Sequence, residues 1–223
     1  MTFSIVARDQ HGRIGMAVSS SSPAVAARCT HLRDGIGAVS SQNITDPRLG
    51  THILDLLEAG HGADSAIQAA LENYADADYR QLVVLDAHGG VAVHHGKHTL
   101  GVHGSGQGTH SVAAGNMLSG SHIPQAMCDA FEQSEGELEE RLLAGLQAAL
   151  SAGGEEGPVH SAGMAVVSGH GWRDTDLRVD WHEDPIAELG RLLGVWLPQR
   201  NDYVVRGLDP SASVGYGVPG DER

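Results

Sequence analysis

The sequence predicts an α+β fold in which two β-sheets pack face to face and helices cover both outer sides. Short strand-like runs come in groups, and pairs of helix-period segments separate those groups. With 223 residues the chain can bury one sizeable core without disulfides or a structural metal. The order strands, helices, strands, helices, strands, helix fits grouped sheets better than alternating β-α-β winding.

Phe3, Ile5 and Ala7 alternate with Thr2, Ser4 and Val6, Asp9-Gln10-His11-Gly12 supplies turn chemistry, and Ile14 to Val18 resumes an apolar run. That pattern predicts a β-hairpin starting with the first residues. After the serines 19–22, Pro23 and an alanine-rich stretch, Gly35 to Val39 reads as a short buried strand ending in the polar rim Ser40-Ser41-Gln42-Asn43. Two helices are expected next, Arg48 to Ala59 and Ala63 to Tyr74; the first carries Leu49, Ile53, Leu56 and Leu57 at helical spacing and is closed by Gly60. Arg80 to Asp86, Val91 to His95 and Ser111 to Ala114 read as strands, separated by His88-Gly89-Gly90 and by Gly101 to Gly108. A second helical pair, Ile123 to Gln133 and Leu138 to Ala152, precedes strand-like Ser161 to Val167 and Leu177 to Trp181. The last helix is expected from Pro185, suited to a first turn, to Trp196. Beyond Leu197, prolines and glycines without periodicity suggest chain draped on the surface. One domain over 1–210 and a tail over 211–223 follow.

A formal charge of −14 repels phosphate backbones and anionic lipid headgroups, which argues against nucleic acid as a partner. No run of about eighteen apolar residues occurs, and MTFSIVARD lacks a basic segment followed by a long apolar one, so neither a membrane span nor a cleaved signal is expected and the protein is placed in the cytoplasm. Cys29 and Cys128 read as small core residues in a reducing compartment. The 14 histidines make net charge sensitive to mild acid.

Thr2 carries the chemistry. A small residue after the initiator methionine permits removal of Met1, which leaves a hydroxyl and a free α-amine on one residue. Such an amine titrates near neutrality and can take the hydroxyl proton directly or through water. Nucleophile and base then coincide. Threonine is also simply common at this position, and strands often begin with it. Immediate entry into a strand favours the catalytic reading, because a catalytic terminus must be held rigidly.

The segments TFSIVARD, GRIGMAVSSSSPAVA, DGIGAVSSQ, YRQLVVLDAHG, AAGNMLSG, HSAGMAVV and DLRVDWHEDPIAELGRLL together resemble the bacterial domain of unknown function 1028 family, placed in the Ntn (N-terminal nucleophile) hydrolase superfamily. The resemblance spans Thr2 to about Pro210. It implies a four-layer α-β-β-α sandwich with its site at one end between the sheets, and Thr2 matches the position of the nucleophile. Proteasome-like members carry a lysine near the end of the strand that here runs from Gly35 to Ser41; Ser41, Gln42 and Asn43 stand there instead.

Asn116, in a tight Gly-Asn pair after a strand, is a candidate oxyanion donor, or only a turn former. Ser20, Ser21 and Gln42 lie just after strands and are candidates to orient substrate, with loop solvation as the alternative. Arg80, Arg178 and Asp180 sit in or beside apolar strands, where an internal ion pair or a clamp on a substrate carboxylate is expected. The histidines 94, 95, 98, 103 and 110 match no closed zinc motif, and Gly101 to Gly108 lacks the ending of a phosphate-binding loop, so no metal or cofactor is expected. Trp181, Trp196 and Leu197 suggest an apolar patch for a twin subunit, hence a homo-oligomer, unless they close the monomer's own core. The function expected is a cofactor-independent amidohydrolase acting on a small amide; the alternative is a non-catalytic protein that holds a metabolite in the same cleft.

Overall fold

The structure, a computed structural model, describes residues 1–215 and 217–220. It is a mixed α+β fold with two antiparallel sheets and helices. The first sheet contains β1 (Thr2–Arg8), β2 (Ile14–Ser20), β7 (Gly104–Gln107), β8 (Ser111–Asn116), β9 (Ser161–Val167) and β10 (Arg173–Val179), in the order β10-β9-β2-β1-β8-β7. The second contains β3 (Thr30–Arg33), β4 (Gly37–Asn43), β5 (Arg80–Asp86) and β6 (Val91–His95), in sequence order. The helices are α1 (Ala26–Cys29), α2 (Pro47–Glu58), α3 (Ala63–Leu71), α4 (Ile123–Gln133), α5 (Leu138–Ser151) and α6 (Pro185–Leu208).

Strand parity sorts the core. Phe3, Ile5 and Ala7 of β1 join Ile123, Met127 and Phe131 of α4 and Leu142 and Leu146 of α5 in one cluster. Val6, on the other face, meets Ile14, Met16, Ala38, Val83, Leu85 and Val112 between the sheets. Val39, Leu82 and Val84 pack against Leu49, Ile53 and Leu57 of α2 and Ala66 of α3. Because side chains alternate across a strand, each central strand feeds two clusters and has almost no exposed residue. Each large side chain buried in this way contributes roughly 1.5–3 kcal/mol.

Two expectations need correcting. Sequence reading has no strand at β3 or β7; both pair regularly, β3 with β4 and β7 with β8. The last helix runs on through Pro198 to Leu208 instead of stopping at Trp196. Trp196 donates from Nε1 to Thr175 at 2.9 Å, and Leu197 packs against the first core cluster, so both are half-buried against their own chain. Trp181 is exposed and stacks on His160, with ring centroids 4.4 Å apart. In the segment read as a tail, 211–215 and 217–220 form neither helix nor strand, while 216 and 221–223 lie outside the described residues. Among the described residues no helix is long and apolar enough to cross a membrane.

Candidate functional site

At one edge of the molecule β1 begins and β2, β4 and β8 end, and β5 and β9 start. In the β1–β8 register Thr2 stands opposite Asn116, and in β1–β2 Phe3 stands opposite Ser19. By parity Thr2, Ser4, Ser20 and Asn116 on the first sheet face Ser40, Gln42 and Gln81 on the second. All seven are buried. Only three described non-glycine residues have positive φ, and all lie at this edge: Asn43 ends β4, Met117 follows β8 and Ala24 lies in the turn beyond β2. Backbone held in that sparsely populated region concentrates at functional sites.

The polar side chains between the sheets form one directional seam. Ser4 and Ser40 donate to Gln42 Oε1 at 2.7 and 3.0 Å. Gln42 Nε2 then donates to Gln81 Oε1 at 2.8 Å and to the Ala114 carbonyl at 3.2 Å. Asn116 Nδ2 donates to the same Gln81 oxygen at 2.9 Å, and Gln81 Nε2 donates to the Gly115 carbonyl and reaches His95 Nδ1, both at 2.9 Å. Each amide orientation is fixed by its neighbours, so Gln81 Nε2 is the donor and His95 Nδ1 the acceptor. His95 is therefore neutral with its proton on Nε2, in keeping with burial pushing its pKa below the usual value.

A second chain of hydroxyls reaches Thr2. Arg28 Nη2 donates to Ser22 Oγ at 2.6 Å, leaving the Ser22 proton for Ser20 Oγ at 2.8 Å. Ser20 in turn donates to the Met1 carbonyl oxygen at 2.5 Å, and Thr2 Oγ1 reaches both that oxygen and Ser20 Oγ, the latter at 3.4 Å. A guanidinium at the far end polarises the chain toward the carbonyl oxygen. Glu155 closes the other side. It is buried, one carboxylate oxygen accepts the Ser21 backbone N–H at 3.2 Å, and the other has no partner. Burial pushes its pKa up to about 7, opposed by the positive N-terminus and by Ser21.

Thr2, Ser20, Ser21, Gln42 and Asn116 are thus brought together. Asn116 spends one amide hydrogen on Gln81, and its Oδ1 is buried without a partner. Arg80 lies outside the seam: it faces the helices, donating to Tyr74 Oη at 2.7 Å and to the Ile44 carbonyl and pairing with Asp76 at 3.8 Å, so it takes the ion-pair alternative, while its neighbour Gln81 turns into the seam. Arg178 and Asp180 form no internal pair; they bridge at 2.8 Å on the surface. Sequence reading missed Ser4, Ser40, Gln81, His95, Arg28 and Glu155. Parity carried forward from Thr2 and back from Gln42 would have found Ser4 and Ser40, whereas Gln81 needs the β4–β5 register. The single lysine, Lys97, is exposed and pairs with Asp78, so it takes no part here. Among the described residues no group of three or more His, Cys, Asp or Glu is disposed to hold a metal ion. A cavity of about 470 Å³ lies on the helix side of the second sheet, lined by Asp46, Tyr74 and residues of α2 and α3. Its Asp46 is satisfied by Arg48 and Tyr74 and held well below the usual carboxylate range, chiefly by the Arg48 hydrogen bond.

Residues 2–189 match the model of a family of unknown function, DUF1028. The chain belongs to that family. Among solved structures, this DUF1028 member is similar to protein SPO2555 from Silicibacter pomeroyi, which carries the same family model, with 31% identity over 87% of this chain and 88% of that one and a TM-score of 0.81. It has a weak overall likeness to Anbu (ancestral beta-subunit) from Yersinia bercovieri, with 11% identity over 88% of this chain and 95% of that one and a TM-score of 0.41. Comparison with curated proteins gives no match.

Proposed function

We propose that this DUF1028 protein is a cofactor-independent Ntn-type amidohydrolase on a four-layer α-β-β-α sandwich, with Thr2 as its nucleophile once Met1 is removed. The observation that carries the proposal is the placement of the Thr2 hydroxyl. It is buried between the sheets on the first residue of a strand, and a carbonyl oxygen beside it is held by the polarised Ser20 hydroxyl. Met1 is an acyl group on the Thr2 nitrogen, so its carbonyl stands in for that of an amide substrate.

Thr2 Oγ attacks the substrate carbonyl carbon, and its proton passes through the Thr2 α-amine to the leaving nitrogen as the C–N bond breaks. Ser20, at the end of the Arg28–Ser22 relay, donates to the oxyanion, and Asn116 has one amide hydrogen left to assist. Water then adds to the acyl ester, its proton is taken by the α-amine, and the acid leaves as Thr2 Oγ is reprotonated. Gln42 and Gln81 hold Asn116 in place and do not touch the reacting atoms. The substrate is a small amide, and the site of action is the cytoplasm.

The test is intact-mass analysis before and after exposure to an electrophilic β-lactone, with peptide mapping. Loss of Met1 and an adduct on Thr2 that Thr2→Ala abolishes is the expected result. A retained Met1 with no adduct would sink the mechanism, because the Thr2 nitrogen would then be an amide without basicity and the cleft could only bind.

A further inference from the structure

Met1 is half-buried beside Thr2 and fills a chamber bounded by Ser20 and Gly157. Its carbonyl oxygen lies on Ser20 and Thr2, and its Sδ–CH₃ end runs past Gly157, where an added Cβ would sit 3.4 Å from Met1 Cε. Glu155 borders the same place, its carboxylate accepting from the Ser21 N–H next to Ser20, and the Met1 ammonium makes no ion pair with it. Glu155 is only 6% exposed. It has no arginine or lysine partner among the described residues, and Oε1 is buried without a hydrogen bond. Leaving one oxygen of a buried carboxylate unpaired costs stability unless a ligand completes it. Gly157 leaves the wall open where a side chain would narrow the chamber.

We propose that the chamber filled by Met1 is the acyl subsite, and that Glu155 selects substrates whose acyl part carries an α-ammonium group, that is, aminoacyl amides. This rests on the Thr2 mechanism above. When Met1 leaves, an amino-acid-like acyl group enters its place. The substrate ammonium donates to Glu155 Oε1, its carbonyl oxygen lies on Ser20, and its side chain follows the Gly157 wall. A des-amino acyl group leaves the carboxylate oxygen unpaired and is rejected. A site built around a buried polar group discriminates strongly against an analogue that cannot pair with it.

L-Methioninamide reproduces the group seen in the chamber, and 4-(methylthio)butanamide lacks only its amine. Each competes with β-lactone labelling of Thr2 in the full-length processed protein, followed by mass. Protection by methioninamide at concentrations about tenfold to a hundredfold lower than its des-amino analogue is expected, the range for a charge-assisted hydrogen bond. In Glu155→Gln the preference should collapse toward one. Equal protection by the two amides in the wild-type protein overturns the assignment without any variant. So does a Glu155→Gln protein that labels more slowly yet keeps the preference, since Glu155 would then serve the Thr2 amine. Absence of wild-type labelling would bring down the Thr2 mechanism and this inference together, whereas labelling without discrimination brings down this inference alone.

Discussion

Glu155 is a carboxylate whose cost of burial can be measured. Its pKa is about 7 in the folded protein against an ordinary value of 4.5, with burial the chief cause. Between those values the native state holds a proton that the unfolded chain has lost, so stability falls as pH rises from about 4.5 to about 7 and is level above. The full effect is on the order of 3 kcal/mol. His31 and His95 act in the opposite sense, since burial lowers their pKa values and protonation below the ordinary 6.5 favours the unfolded chain. A difference between two proteins is therefore the informative quantity. Glu155→Gln should be more stable than wild type at pH 8 and no more stable at pH 5 by urea denaturation; an equal difference at both would contradict the assignment. Residue types told part of this in advance. Thr2, Ser20 and Gln42 were legible because they flank apolar runs, whereas Arg80 drew attention through its charge and Gln81 beside it did not. A shift of one residue along a strand exchanges the faces, and only the pairing register decides which of two polar neighbours enters the seam.

The elements hardest to read are those made by close approach. β7 lies in GVHGSGQG, whose glycines read as a connection; a Cβ on Gly106 would fall 2.5 Å from the backbone of Gln125, and one on Gly104 2.9 Å from the Ser121 carbonyl. The glycines admit the strand against α4. β3 was hidden for a different reason, since only four residues pair and three are half-buried. α2 was legible from its apolar spacing, and its Asp46 cap and Pro47 agree with the start observed. Gly50, inside that helix, tests the close-approach argument. Alanine there improves helix propensity by roughly 1 kcal/mol, but its Cβ would lie 2.1 Å from the His31 ring of β3. Gly50→Ala should therefore lower stability, by about 1–2 kcal/mol once overpacking outweighs propensity. In a His31→Ala background the same change should raise it. Thermal unfolding of the four proteins measures the reversal, and a Gly50→Ala protein with an unchanged or raised melting temperature would refute it.

Across the whole molecule, one buried carboxylate ties distant parts of the chain together. Glu139, fully buried at the start of α5, accepts from Thr175 of β10 at 2.8 Å, from Arg200 of α6 at 2.9 Å and from Arg13 of the β1–β2 hairpin at 3.5 Å. Thr175 also accepts from Trp196, so both ends of this part of α6 are held. Here lies the reason the helix outruns its sequence signal. Pro198 removes one helical hydrogen bond and reads as a stop, but Arg200 and Trp196 anchor the segment around it through partners remote in sequence, which no local periodicity reports. Removing one partner of a buried charge costs more than the pair contributes, because the survivor stays desolvated. Arg200→Met keeps the aliphatic bulk and should lower stability by roughly 3 kcal/mol, with loss of helical signal from the end of α6. Adding Glu139→Gln removes the stranded charge and should recover part of that loss, so the two changes together cost less than their sum. A purely additive result in chemical denaturation would mean that Arg13 alone satisfies Glu139 and that the far half of α6 is held by its apolar contacts.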